Sequence, residues 1–85
     1  GPANEKDLLE IAEYQLQNIH FRIERYGDKS RRLTTTFQNS NRTFFAPYYD
    51  SVAWIEIIAG ERRGAWSSEQ SIAEDILAQH KREQS

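Results

Sequence analysis

The chain has no cysteine and no methionine, two prolines, four glycines and two histidines. Each shortage narrows what the protein can do. Without cysteine there is no disulfide framework, no thiolate nucleophile and no cysteine-ligated zinc, a usage that fits a reducing, intracellular compartment, nuclear or cytoplasmic. His20 and His80 lie far apart, and neither has a second strong ligand at metal-binding spacing, so no metal site is expected. No apolar run approaches the roughly 20 residues that cross a bilayer as a helix, so no membrane span is expected. Ser67 and Ser68 are better explained as helix caps than as nucleophiles. Glu74 and Asp75 face no second carboxylate across a cleft. The sequence therefore predicts no catalytic residue, no enzyme activity, no cofactor and no small-molecule substrate. The missing methionine suggests a piece of a longer protein. The opening residues 1–3, with their Gly1-Pro2, read as an expression-tag remnant, leaving 4–85 as a single domain.

What is present is globular. Hydrophobic residues make up 38% of the 85 and charged residues 28%, enough for one domain with a modest core. The net charge of −2 conceals a segregation. Residues 1–21 set Lys6 against Glu5, Asp7, Glu10 and Glu13. Residues 22–42 carry Arg22, Arg25, Lys29, Arg31, Arg32 and Arg42 against only Glu24 and Asp28. Residues 43–61 hold only acids. One basic hairpin on an acidic domain is either a solvated face with scattered ion pairs or an anion-facing patch.

From Asn4 to about Gln17, Leu8, Leu9, Ile11, Ala12 and Leu16 recur at helical spacing, with Asn4 as cap and Glu5 and Asp7 suited to a first turn. This predicts an amphipathic helix. At Ile19 the period changes to two: Ile19, Phe21 and Ile23 alternate with polar residues. The turn residues Tyr26 to Ser30 follow, and then Leu33, Thr35 and Phe37 alternate again. These runs predict an antiparallel hairpin. Asn39-Ser40-Asn41 is a second turn signal. Residues 43–50 are an edge strand or a long loop, because Pro47 removes a backbone donor. Ser51 to Ala59 reads as a central strand that Gly60 ends, and Glu61 to Gly64 as a turn or the approach to a helix. The last helix begins at Ser67 or Ser68, with Ser67 and Gln70 in capping-box spacing. It presents Ile72, Ala73, Ile76, Leu77 and His80 on one stripe, with Lys81 and Arg82 at its C-terminal end. The expected fold is α+β: helix, three or four antiparallel strands, helix, with both helices on one face of the sheet.

That order resembles the double-stranded RNA-binding domain. Gly27-Asp28-Lys29-Ser30 stands where the family has a Gly-Pro-x-His turn, with the glycine matching and the proline and histidine absent. Gly64-Ala65-Trp66-Ser67-Ser68 looks like the family's approach to its second helix. Glu69-Gln70-Ser71-Ile72-Ala73 falls where its lysine cluster would sit. The resemblance implies a degenerate member in a larger RNA-associated protein. Glu69 would repel the phosphates that the lysines normally hold, leaving weak RNA binding at most and a role in protein–protein interaction or dimerisation.

The strongest local anomaly is Phe44, Phe45, Tyr48 and Tyr49 around Pro47. Either two of these pack inward while the tyrosines close a sheet edge, or they form a partner-binding surface, which Trp66 would join if exposed. Base stacking is a further reading, and Trp54 is assigned to the core. The sequence thus predicts a protein partner or self-association through Phe44, Phe45, Tyr48, Tyr49 and Trp66. The alternatives are nucleic-acid binding through Arg22, Arg25, Lys29, Arg31, Arg32, Arg62 and Arg63, and a small inhibitor or adaptor.

Overall fold

The computed structural model describes residues 6–47 and 54–85. Six strands follow one another along the chain: β1 (Leu8–Leu16), β2 (Ile19–Tyr26), β3 (Arg31–Phe37), β4 (Ser40–Ala46), β5 (Trp54–Ile58) and β6 (Glu61–Trp66). One helix, α1 (Glu69–Glu83), closes the order. The strands form a single antiparallel sheet in sequence order, β1 to β6. The expected helix–sheet–helix fold is therefore wrong. There is one helix among the described residues, and the sheet has six strands rather than three or four. The segment predicted as the first helix is β1, so the helix-first order that carried the likeness to the RNA-binding domain is not this chain's order. The proposed caps of that helix, Asn4 and Glu5, lie outside the described residues, as do Tyr48, Tyr49 and residues 50–53.

Tight turns fix the register. Gln17 and Asn18 connect β1 to β2 with φ of 52° and 67°, and Ala59 and Gly60 connect β5 to β6 with φ of 53° and 79°. Two positive values in a two-residue loop make the type I′ turn, whose twist matches that of the strands it joins. Gln38 takes φ 55° in the Gln38-Asn39 loop between Phe37 and its partner Ser40. In the β2–β3 turn, Asp28 accepts hydrogen bonds from the Ser30 amide at 2.8 Å and the Ser30 hydroxyl at 2.5 Å, while Lys29 takes φ 72°.

Alternation then sorts the side chains. Ile19 and Phe21, Leu33 and Thr35, Phe44 and Ala46, and Trp54 and Glu56 all point to the face that α1 covers, and all are buried. The helix contributes Ile72, Ala73 and Ile76 to the same core, with Leu77 packed beside them. The stripe read from the sequence is the buried one, and His80 meets Phe37 edge-on at 5.1 Å between centroids. Of the two serines expected to cap α1, Ser68 does so, and the capping box pairs Ser68 with Ser71 rather than Ser67 with Gln70. Ser68 accepts from the Ser71 amide at 3.1 Å, and Ser71 returns the bond through its hydroxyl, which accepts from the Ser68 amide at 3.2 Å.

Pro47 lies just past β4, so it takes no ladder bond from that strand, and β4 is interior rather than an edge. β5 runs from Trp54 to Ile58, residues 51–53 of the expected strand lie outside the described residues, and the Glu61–Gly64 segment is not a turn but the start of β6. Gly64 serves a close approach: a Cβ there would lie 2.7 Å from Cη2 of Trp66, whose ring folds back over the glycine. Trp66 meets Phe44 edge-on at 5.1 Å.

A polar clip joins the layers. Arg42 on β4 donates to both oxygens of Glu56 on β5, at 2.9 and 2.8 Å, and to Oδ2 of Asp75 on α1 at 3.3 Å. Its guanidinium also lies over the rings of Phe44 and Trp66, at 5.1 and 5.5 Å. Hydrogen bonding to Glu56 holds the Arg42 pKa above its ordinary value against the opposing effect of burial. The β4–β5 ladder has a single described pair, Phe45 with Ile55. The side-chain bridge therefore fastens the sheet where backbone pairing is thinnest.

Candidate functional site

The two sheet edges differ in length and in the apolar residues they expose. β6 is six residues long, carries exposed Glu61, Arg62 and Arg63, and is interrupted by a bulge. β1 is nine residues long, shifts register between Leu8 and Glu10, and is exposed along its whole length except Leu16. Its Leu8, Leu9 and Ile11 are 44–45% exposed and Tyr14 is 37% exposed. The sequence pattern assigns Leu8, Leu9 and Ile11 to the buried face of a helix. The structure puts them at the margin of the sheet, with β2 the only neighbouring strand among the described residues.

The register states which backbone groups of β1 are spoken for. Leu16 and Ile19 close the two-residue loop and bond to each other. Direction alternates along an antiparallel strand, so Tyr14, Ala12 and Glu10 also turn their N–H and C=O groups toward β2. Ile11, Glu13 and Gln15 turn theirs away from the sheet. β1 thus offers a row of backbone donors and acceptors beside a set of apolar side chains. Tyr14 stacks on Phe21 at 5.3 Å and 9° between planes, and partial burial together with the charge of Glu69 raises its pKa.

The acids on this edge have side-chain partners on the adjacent strand. His20 lies 3.0 Å from Glu13, Arg22 lies 3.7 Å from Glu13 and from Glu24, and Arg25 lies 3.5 Å from Glu10. Arg32 reaches Glu24 at 2.8 Å, and that hydrogen bond holds the Glu24 carboxyl below its ordinary range.

The residues predicted from sequence are dispersed. Phe44 is fully buried and Phe45, one step along the strand, is on the opposite face and 36% exposed. Trp66 is half-buried against Phe44. Tyr48 and Tyr49 fall outside the described residues. Of the basic set, Arg22, Arg25 and Arg32 are paired with acids as above, and Arg63 lies 3.4 Å from Glu61. Arg31 stacks over Trp54 at 4.5 Å. Lys29 is exposed in its turn, and Arg62 is exposed on the far edge from the hairpin. Phe45, Tyr26, Arg31, Arg32 and Pro47 line an open groove of about 370 Å³ at the end of β4. Sequence reasoning missed the β1 edge. The available signal was the two-residue gap Gln17-Asn18 between Leu16 and the first strand-like residue, Ile19.

No helix among the described residues is long and apolar enough to cross a membrane. No family model, curated protein or solved structure matches the chain.

Proposed function

We propose that this chain is a non-catalytic interaction module that takes an extended segment of a partner protein as an added strand along β1. The observation that carries this reading is the nine-residue edge itself, with outward backbone groups at Ile11, Glu13 and Gln15 beside exposed Leu8, Leu9, Ile11 and Tyr14. In strand addition the ladder supplies affinity and the alternating side chains supply specificity. An edge strand exposed over this length, with no proline in it, is otherwise an aggregation hazard. The ion pairs of Arg22, Arg25 and Arg32 weigh against the nucleic-acid alternative, since a cation already neutralised by a carboxylate releases few counterions from phosphate.

The test is a display selection for short extended peptides, followed by amide-shift mapping on the labelled chain. The expected ligands shift the amides of Ile11, Glu13 and Gln15 and fail to bind Ile11→Pro. Ligands that map to the groove beside Phe45, or to β6, would place the interaction elsewhere and overturn the proposal.

A further inference from the structure

The sheet is unevenly joined between β4 and β5. The two-residue loop Gln38-Asn39 makes Phe37 and Ser40 a bonded closing pair. Alternation then turns the backbone groups of Arg42 and Phe44 toward β3 and those of Asn41, Thr43 and Phe45 toward β5. The Ala59-Gly60 loop does the same for β5, turning Ile55 and Ile57 toward β4. Phe45 meets Ile55, and the same register carried one step further would set Thr43 against Ile57. No such pair forms among the described residues. Where it is missing, Arg42, Glu56, Ile58 and Gln79 line a cleft of about 330 Å³ between β4, β5 and α1.

The two halves of the β5–β6 hairpin are held differently. At its base Trp54 is buried with Arg31 over its ring, Ile55 pairs with Phe45, and Trp66 meets Phe44 edge-on. Further out, every residue from 57 to 63 is exposed, Ile57 at 45% and Ile58 at 50%, and Arg63 pairs only within the hairpin, with Glu61. Glu56 ties this outer half to β4 through its two bonds from Arg42, at 2.9 and 2.8 Å. We infer that residues 56–64 form an arm that swings away from β4 about the Ile55–Ala65 pair, and that the Arg42–Glu56 bridge is the latch that holds it. Neither depends on what β1 binds. The bulge between Glu56 and Ile57 already bends the ladder just beyond that pair, so the hairpin can flex there without losing its own remaining bonds. Opening draws Glu56 off Arg42 against two charge-assisted hydrogen bonds. It also widens the cleft and frees the outward N–H and C=O groups of Asn41 and Thr43, while the base and the core beneath α1 stay seated.

The test is a spin-label distance across the gap. The chain has no cysteine, so Asn41→Cys with Arg62→Cys, both at exposed positions, labels β4 and the arm alone. The expected result is one narrow distance distribution in the labelled parent. Adding Glu56→Gln brings in a second, longer component, with the open fraction raised at least about tenfold, the equivalent of one charged hydrogen bond. The far-ultraviolet spectrum and tryptophan emission stay as they were. Asp75→Asn, which loosens Arg42 from α1 and not from the arm, adds no long component. A distribution that stays single with Glu56→Gln, one already broad in the parent, or an equal long component with Asp75→Asn overturns the latch. Should Glu56→Gln lose its sheet signal, relaxation dispersion on the isotope-labelled chain without substitutions decides. Millisecond exchange confined to residues 56–64 sustains the arm, and a profile there as flat as that of β2 and β3 overturns it.

Discussion

Replacing Arg42 with methionine is the most informative perturbation of the fold. Methionine fills similar space and keeps a favourable contact with the Phe44 and Trp66 rings, so packing is largely conserved and charge is what changes. The substitution strands Glu56, whose side chain is 8% exposed, while Asp75, at 40%, is left to water. Removing one member of a buried ion pair costs about 3–5 kcal/mol. Arg42 itself is 21% exposed, which places this site at the lower end, about 3 kcal/mol. By contrast Asp75→Asn breaks an exposed 3.3 Å contact and costs about 0.5 kcal/mol. The double change Arg42→Met with Glu56→Met removes the stranded charge and recovers stability to within about 1 kcal/mol of the parent. Urea denaturation of the three variants gives these differences directly. In a thermal melt each kcal/mol corresponds to roughly 4–8 °C for a domain this small. The reasoning fails if Arg42→Met costs no more than Asp75→Asn, or if the double variant is as unstable as the single.

Other expectations follow from the same structure. Phe44→Ala opens a cavity under α1 and costs about 3–5 kcal/mol, while Phe45→Ala, on the open face, costs less than about 1 kcal/mol; chemical denaturation separates the two neighbours. Gly64→Ala forces the Trp66 ring off its seat between Phe44 and Arg42, with a loss of about 1–3 kcal/mol and a shift in tryptophan emission. Glu24 has a folded pKa below its ordinary 4.5 because Arg32 hydrogen-bonds the charged form. Its stabilising contribution is therefore complete above that value and is lost as pH falls through the lower, folded one. Glu24→Gln should flatten the acid limb of a stability-against-pH curve, and an unchanged acid limb would refute the assignment.

The sequence by itself determined the interior of this protein. β2 and β3 are covered on one face, and that demand writes a period of two into Ile19, Phe21 and Ile23 and into Leu33, Thr35 and Phe37. The last helix is equally legible, since one side of it must be apolar to meet the sheet and its start must satisfy free amides, which Ser68 and Ser71 do. Of the elements misread, β4, expected as an edge strand or loop, is interior, while β1 and β6 are the two edges. β1, exposed along nearly all its length, has no face that must be apolar, so it carries no alternation. Leu8, Ile11, Ala12 and Leu16 then match a helical spacing by composition, among glutamates and a glutamine that also favour helix. Tertiary structure decided against it. Once Gln17 and Asn18 turn the chain, pairing with β2 sets Tyr14 on Phe21, Glu13 beside Arg22 and Glu10 beside Arg25, and the ladder outweighs a weak local preference. The candidate site shares that origin: an edge is defined by what does not pair with it, a property of the assembled sheet that no local stretch of residues records.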